Sequence, residues 1–283
     1  MGESALEKFV SLDPFPQPPI IRVKNPIVLM HRFGMAGSFR RNGHMHDLAM
    51  HLRARGVIAY APNIIPYNTV PVRANLWQQR LNRVLEETGA EKVNLVSHSM
   101  GGLDARYLIS ALGLHDQVAS LTTIATPHHG SSIASFLLEQ PEKLREWLAE
   151  FANWMGAKVM REVESDFLNA VTELTPEHLE GEFNPKVPDH PDVKYWSYSA
   201  QAGKETSVGI TPFLKPLNYI LFGREGKNDG FVSVESAKWG TFCGVLEADH
   251  AQQIGMNLPT SRCSFKSTDF FSNLAKQLSD AGC

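Results

Sequence analysis

Residues 93–102 read VNLVSHSMGG, and this stretch decides the fold. Its apolar start predicts a buried strand, and the two glycines predict a tight turn into a helix. A serine at such a turn, Ser99, exposes its hydroxyl at the sheet edge, near the helix N-terminus. Small residues must flank it because strand and helix cross closely, and Ser97 and Gly101 meet that need. An incidental serine in a glycine-rich turn is the alternative.

Strand and helix patterns alternate on both sides of this turn. Apolar, β-branched runs predict strands at Ile27–Met30, Val57–Tyr60, Val93–Val96 and Leu121–Ile124, and near Val193–Tyr198 and Thr241–Leu246. Helical spacing predicts helices at Asp47–Arg55, at Leu76–Glu87, after Ser99 and at about Asp269–Leu278. This alternation predicts an α/β fold, with right-handed crossovers and a mostly parallel sheet flanked by helices.

The strand pattern stops between residues 132 and 182, where helical spacing takes over. Large apolar residues recur there at i, i+3 and i+4, among them Trp147, Phe151, Trp154 and Met155. We therefore predict one domain over residues 1–283 that carries a helical cap or lid insertion at residues 132–182. The apolar helix either packs permanently on the core, or forms a lid whose apolar side covers a site in water and is exposed when the lid opens.

Composition and charge narrow the function classes. The 283 residues are 43% hydrophobic and 20% charged, with a net charge of −3, which gives no reason to expect nucleic acid as a partner. Three cysteines are too few for a disulfide scaffold. We find no signal-peptide pattern in residues 1–19 and no transmembrane segment. The sequence predicts a soluble chain, secreted if a signal was removed and otherwise cytoplasmic.

Two further stretches supply partners for Ser99. Asp229 lies in the turn-rich KNDGFV, and His250 ends EADH after the next strand. The order serine, aspartate, histidine is the one expected when a strand–turn–helix presents the nucleophile. A third stretch, residues 25–34, runs from a strand into a loop. By position, the backbone N–H groups of Phe33 and Met100 are the expected oxyanion-hole donors.

These motifs together resemble the α/β-hydrolases of the triacylglycerol lipase type, as in bacterial true lipases and fungal and yeast lipases. The matching stretches are residues 26–34, SHSMGGLDARY (97–107), TPHHGS (126–131), EFNPKVP (182–188), NDGFVSVESAKW (228–239) and 249–250. The resemblance implies the α/β-hydrolase fold, with Ser99 as nucleophile, Asp229 as acid and His250 as base. It implies a cofactor-free hydrolase of lipid or other esters with apolar acyl chains, acylglycerols included, acting in solution or at a lipid–water interface.

The chain departs from the family pattern at two places. His31-Arg32 stands where the oxyanion loop usually has His-Gly, and arginine lacks glycine's conformational freedom. Related bacterial lipases bind calcium partly through an acid two residues after the catalytic histidine. This chain has Gln252 there, so we predict no metal.

Other histidines compete with His250 for the role of base. His98 adjoins the nucleophile, but we expect its side chain to point away from Ser99. His128–His129 are expected in a loop or pocket wall, and His31 in a hydrogen bond that fixes its loop. His44 and His46 would face one side only in an extended segment, and no third metal ligand is evident.

Other acids and the cysteines also leave alternatives open. Asp249 is the nearest rival of Asp229, but it would need awkward backbone geometry to reach the ring of its own neighbour. Asp104 and Arg106 are expected to form an ion pair or cap that secures the helix after Ser99. Cys243 and Cys263 flank the His250 loop and could be bridged or remain buried thiols, and Cys283 is expected to be free.

The activity itself has rival interpretations. A lipase or carboxylesterase is the first, and an acyltransferase, in which an alcohol replaces water, is its close variant. A non-catalytic hydrolase-fold binding protein is the alternative from a different class. Such proteins usually lack one member of the serine–histidine–acid set, whereas this sequence offers all three.

Overall fold

A six-stranded sheet forms the centre of the protein. The computed structural model describes residues 18–30, 45–65, 68–140, 164–256 and 264–283. The strands are β1 (Ile27–Met30), β2 (Ala59–Tyr60), β3 (Val93–His98), β4 (Val118–Ile124), β5 (Lys194–Ala200) and β6 (Thr241–Leu246). Their order is β2-β1-β3-β4-β5-β6, and every neighbouring pair is parallel. The carboxyl ends of all six strands therefore lie at one edge.

Helices cover both faces of this sheet. The longer ones are α1 (His46–Arg53), α2 (Val70–Thr88), α3 (Gly101–Ser110), α4 (Ser132–Glu139), α5 (Glu164–Thr172), α6 (Lys215–Glu225) and α7 (Ser267–Asp280). Short helical turns lie at Leu114–Gln117, Pro176–His178, Leu179–Phe183, Asn184–Lys186, Pro212–Leu214 and Gln252–Ile254. None of the helices within the described ranges has the length and apolar character needed to cross a membrane.

Alternating side chains of the strands build two apolar layers. Helices α1 and α7 pack on one face of the sheet, against Ile27 and Leu29 of β1 and Val96 of β3. Helices α2 and α3 pack on the opposite face, against Val28 and Leu95. Because neighbouring residues of a strand point to opposite faces, strands covered on both faces must be apolar throughout, and β1 is buried at every position.

The predicted parallel α/β fold is confirmed. Strands β1 and β6 have the predicted bounds, whereas β3 extends two residues further, to His98, because those residues pair with Thr123 and Ile124. The predicted strand Val57–Tyr60 was too long. It is an edge strand that pairs only through Ala59 and Tyr60.

The described parts of the predicted insertion are helical. They comprise α4, α5 and the turns Pro176–His178 and Leu179–Phe183, the last of which ends one residue beyond the predicted range, and none of these described parts is a strand. Residues 141–163 lie outside the described residues, so the division into one domain with an insertion at 132–182 stays a prediction.

Candidate active site

Ser99 lies on a strained turn between β3 and α3. Its φ is +57°, in the left-handed region that a side chain other than glycine's rarely adopts, at a cost of about 1–3 kcal/mol. Its N–H donates to the Ile124 carbonyl at 2.9 Å, and Thr126 Oγ1 donates to its carbonyl at 2.7 Å. These bonds to β4 and the loop after it hold the turn, and α3 begins two residues later at Gly101.

The helix after this turn crosses very close to the β4 loop. A Cβ atom on Gly102 would lie 2.2 Å from Thr126 Oγ1 and 2.9 Å from Thr123 Cγ2. Only glycine fits at that distance. A small residue is therefore needed at Gly102 as well as at Ser97 and Gly101, the two positions expected from the sequence.

The structure brings Ser99, His250 and Asp229 together at the carboxyl edge of the sheet. His250 Nε2 lies 2.9 Å from Ser99 Oγ, and His250 Nδ1 lies 2.7 Å from Asp229 Oδ2. All three residues are at most 8% exposed. The hydroxyl, imidazole and carboxylate thus form one continuous hydrogen-bonded line from residues that are far apart in the sequence.

Asp229 is held by donors on both of its oxygens. Oδ1 accepts from the N–H groups of Phe231 and Val232, at 3.0 and 2.8 Å. Its neighbour Asn228 is buried, and its side chain accepts from Gly230 N and from Asn218 Nδ2 of α6. These bonds fix the loop and leave Oδ2 facing His250.

Two further side chains, Gln253 and His98, extend this hydrogen-bonded network. Gln253 Nε2 donates to Asp229 Oδ2 at 2.7 Å, and Gln253 Oε1 lies 2.9 Å from His98 Nε2. The His98 ring lies 4.6 Å from the His250 ring, between centroids. His98 therefore binds Gln253 behind the predicted base. No sequence motif marks Gln253.

Asp249, the rival acid, has a different set of partners. Its carboxylate accepts from the backbone N–H groups of Thr211, Ala251 and Gln252, at 2.7, 2.9 and 2.9 Å. The Gln252 side chain accepts from Asp249 N and donates to the Gly209 carbonyl. Gln252, at the position considered for calcium, is thus bonded on both sides by the surrounding backbone. Among the described residues, no three histidines, cysteines or acids are grouped as metal ligands.

Asp104 and Arg106 are both buried, and each of them bonds a group outside α3, with Asp104 in an ion pair of the kind expected. Asp104 pairs with Arg73 Nη2 of α2 at 2.8 Å. Arg106 donates to the Asn184 side chain at 2.8 Å and to the Val187 carbonyl at 3.0 Å. Residues two positions apart on an α-helix point in different directions, so Asp104 and Arg106 each meet a partner of their own. Burial raises the pKa of Asp104 and lowers that of Arg106 to about 10.

The Arg106 guanidinium also organises the first of the paired histidines. Its centre lies 3.7 Å from the centroid of the Trp239 ring, which stacks on His128. Burial, reinforced by the charge of Arg106, lowers the pKa of His128 well below its usual value. His128 is therefore a neutral, buried side chain, whereas His129 is exposed and bonds Glu180.

Glu173, directly after α5, joins this part of the predicted insertion to the core. Its Oε2 accepts from Val70 N at the start of α2 at 2.5 Å. Burial raises the pKa of Glu173 to about 7. The nearby Asp104 carboxylate adds to this shift, whereas the hydrogen bond from Val70 N opposes it.

Several predicted residues fall outside the described ranges. Phe33 is one, and so are His31 and His44, and the predicted lid residues Trp147, Phe151, Trp154 and Met155. Met100, the other predicted oxyanion donor, is buried and lies directly before α3, where helix N–H groups lack acceptors within the helix. Cys243 is a free, exposed thiol and Cys283 a free, buried one, while Cys263 is not described.

Comparison with known proteins finds ester-hydrolysing relatives. The chain is 29% identical to "Triacylglycerol lipase 2" of Saccharomyces cerevisiae over 72% of this chain and 59% of that protein. It is 27% identical to the triacylglycerol lipase of Pseudomonas fragi over 93% of this chain and 98% of that protein. The matched region thus spans less than two thirds of the yeast relative.

Two solved structures of similar fold are lipases as well. Bacillus licheniformis lipase BlEst2 in its mature form gives a TM-score of 0.66 at 23% identity, covering 92% of this chain and 96% of that one. Lipase 1 of Pelosinus fermentans gives a TM-score of 0.68 at 19% identity, covering 91% and 99%. At this identity the likeness establishes the fold alone.

The chain thus has an α/β-hydrolase-like fold, and the proteins that it is similar to are named lipases. The sequence model of one family, palmitoyl protein thioesterase, matches residues 26–172, just over half of the chain. The chain belongs to this palmitoyl protein thioesterase family.

Proposed function

We propose that this protein hydrolyses carboxylic esters of apolar acyl chains through an acyl-enzyme on Ser99, with His250 as base and Asp229 as its orienting acid. The hydrogen-bonded line from Ser99 Oγ through the imidazole to the Asp229 carboxylate carries the proposal. The triacylglycerol lipases among its relatives support lipid esters as the substrate class.

Each residue has a defined role in the two half-reactions. Ser99 Oγ attacks the ester carbonyl while its proton passes to His250 Nε2, and Asp229 stabilises the imidazolium through Nδ1. The imidazolium then protonates the leaving alcohol. Water attacks the acyl-enzyme with the same proton transfers in reverse order and releases the acid. The Met100 N–H, together with the predicted Phe33 N–H, stabilises the oxyanion of each tetrahedral intermediate.

A panel of p-nitrophenyl esters from acetate to palmitate tests this proposal. Wild type should hydrolyse the longer members with higher kcat/KM, and Ser99→Ala should abolish turnover. Asp229→Asn should lower kcat by about 10³–10⁴-fold through the wrong imidazole tautomer. Asp249→Asn is the matched control, because its carboxylate binds backbone amides, and it should retain far more activity. Equal losses in the two variants would contradict the assignment of the acid.

The family match favours a second candidate substrate, the thioester. A thioester presents the same acyl carbonyl to Ser99 with a thiol as leaving group. Comparing kcat/KM for a palmitoyl thioester and a palmitoyl oxyester under identical conditions decides between them. A ratio well above one, with both activities lost in Ser99→Ala, supports thioesterase activity.

We also propose that the helical insertion at residues 132–182 caps the site, with Trp147, Phe151, Trp154 and Met155 facing the acyl chain. A lid of this kind would expose its apolar surface at a lipid–water interface. Activity on a short triglyceride should then rise sharply once its concentration exceeds the solubility limit. A smooth saturation curve through that limit contradicts a moving lid.

A further inference from the structure

We propose that Gln253 is a positioning residue of this site, whose amide holds the Asp229 carboxylate toward His250 and sets how strongly that carboxylate attracts the imidazole proton. The inference rests on the proposed function, since it assigns Gln253 to the same reaction. It concerns a residue that never touches substrate and acts only through Asp229.

The hydrogen bonds around Gln253 can have only one polarity. An ionised carboxylate only accepts, so the amide nitrogen Nε2 must be the atom that faces Asp229 Oδ2, at 2.7 Å. The amide oxygen Oε1 then faces His98 Nε2 at 2.9 Å, and that nitrogen must carry the proton. Gln253 and His98 are fully buried, so water does not substitute for either partner.

These bonds close a ring around the proposed catalytic groups. The path runs from His98 to Gln253, then to Asp229, then to His250, and ends at Ser99, the chain neighbour of His98. Both ends of the path are thus anchored on the same turn. A carboxylate held on Oδ1 by two backbone N–H groups and on Oδ2 by Gln253 cannot rotate away from the imidazole without breaking several bonds.

The same geometry gives an electrostatic consequence. Asp229 Oδ2 contacts both the Gln253 amide and the His250 ring. The amide donor partly neutralises the charge of this oxygen, so its removal should strengthen the attraction between the carboxylate and a protonated His250 ring. The other groups that face the His250 ring are His98, at 4.6 Å between ring centroids, and the apolar Phe231 ring at 5.1 Å. The neighbouring Asp249 carboxylate is occupied by three backbone N–H groups. Losing the Gln253 amide should therefore raise the pKa of His250.

The neighbouring glutamine supplies a matched control. Gln252 and Gln253 are both fully buried in one short helical turn, but Gln252 bonds Asp249 N and the Gly209 carbonyl, not Asp229. Replacing either by methionine removes a buried amide of similar volume. If Gln253 has only a structural role, both variants should lose similar stability and leave the pKa of His250 unchanged. If Gln253 positions Asp229, the pKa of His250 should change in Gln253→Met alone.

The test is an NMR titration of the His250 ring in wild type, Gln253→Met and Gln252→Met, alongside the pH profile of kcat/KM. We expect the pKa of His250 and the acid limb of the profile to rise by about one unit in Gln253→Met only, with kcat lowered about tenfold and KM little changed. If Gln253→Met does not fold, Gln253→Leu removes the same amide with a more compact apolar side chain and should raise the same pKa.

An unshifted or lowered His250 pKa in these variants, or an equal shift in Gln252→Met, would overturn the proposal. Failure of the proposed function gives a different result. Folded wild type would then show no Ser99-dependent hydrolysis, while the NMR titration, which needs no turnover, still decides whether Gln253 sets the His250 pKa.

Discussion

Gly102→Ala tests how closely the turn that presents Ser99 is packed. The added Cβ would lie 2.2 Å from Thr126 Oγ1 and 2.7 Å from Thr126 Cγ2, well inside ordinary van der Waals contact. Overpacking of this kind costs about 1–3 kcal/mol, against a gain of up to about 1 kcal/mol from replacing glycine in a helix. We expect a net loss of stability, and a lower kcat because Thr126 also holds the Ser99 carbonyl.

A double-mutant cycle isolates the contact itself. Thr126→Ala removes both of the nearest atoms, at the cost of its hydrogen bond to Ser99, about 1 kcal/mol. Gly102→Ala should therefore cost less in the Thr126→Ala background than in wild type, by about 1–2 kcal/mol in chemical denaturation. Gly223→Ala in α6, where no atom lies within 4 Å of the new Cβ, should not destabilise the protein. Additive effects at 102 and 126 would refute the close approach.

Two further predictions concern buried charges away from the site. Glu173 has a pKa raised to about 7, so the folded state binds a proton that the unfolded state has lost, and stability should fall as pH rises from about 4.5 to 7. Glu173→Gln should reduce this fall by about 1–2 kcal/mol, measured as unfolding free energy at pH 5 and 8, and an unchanged pH dependence contradicts it. Arg106→Lys should cost about 2–4 kcal/mol, because an ammonium cannot serve Asn184, Val187 and the Trp239 ring together. Arg83→Lys, at an exposed side chain, should cost less than about 0.5 kcal/mol by the same measurement, and similar losses at the two positions would be the contrary result.

The sequence predicts the fold well because the fold depends on local patterns. Strand β1 is buried at every position and forms a continuous apolar run, so its bounds follow from residue type. The predicted bounds of β6 also agree, although β6 is a largely exposed strand at the other edge of the sheet. The edge strand β2 was overestimated because Val57 is apolar and buried without pairing in the sheet. Burial and strand pairing are different properties, and residue type reports only the first.

The site is partly predictable for a related reason. Ser99, Asp229 and His250, which the structure brings into one hydrogen-bonded line, could be proposed from the sequence because a turn signature, a loop acid and a loop histidine follow one another in a fixed order. Gln253 has no such signature, since a glutamine in a short turn is common on any surface. The partners of Asp104 and Arg106 could not be read from their spacing either, because each is supplied by an element distant in the chain.

Intact-mass and peptide mass spectrometry after treatment with a fluorophosphonate measures the central claim most directly. The reagent reacts with a serine only when its hydroxyl is activated by a base. We expect one adduct per chain, on the peptide that contains Ser99, absent in Ser99→Ala and formed much more slowly in His250→Ala. Folded wild-type protein that acquires no adduct, or acquires it on another residue, would contradict the assignment of Ser99 as the nucleophile.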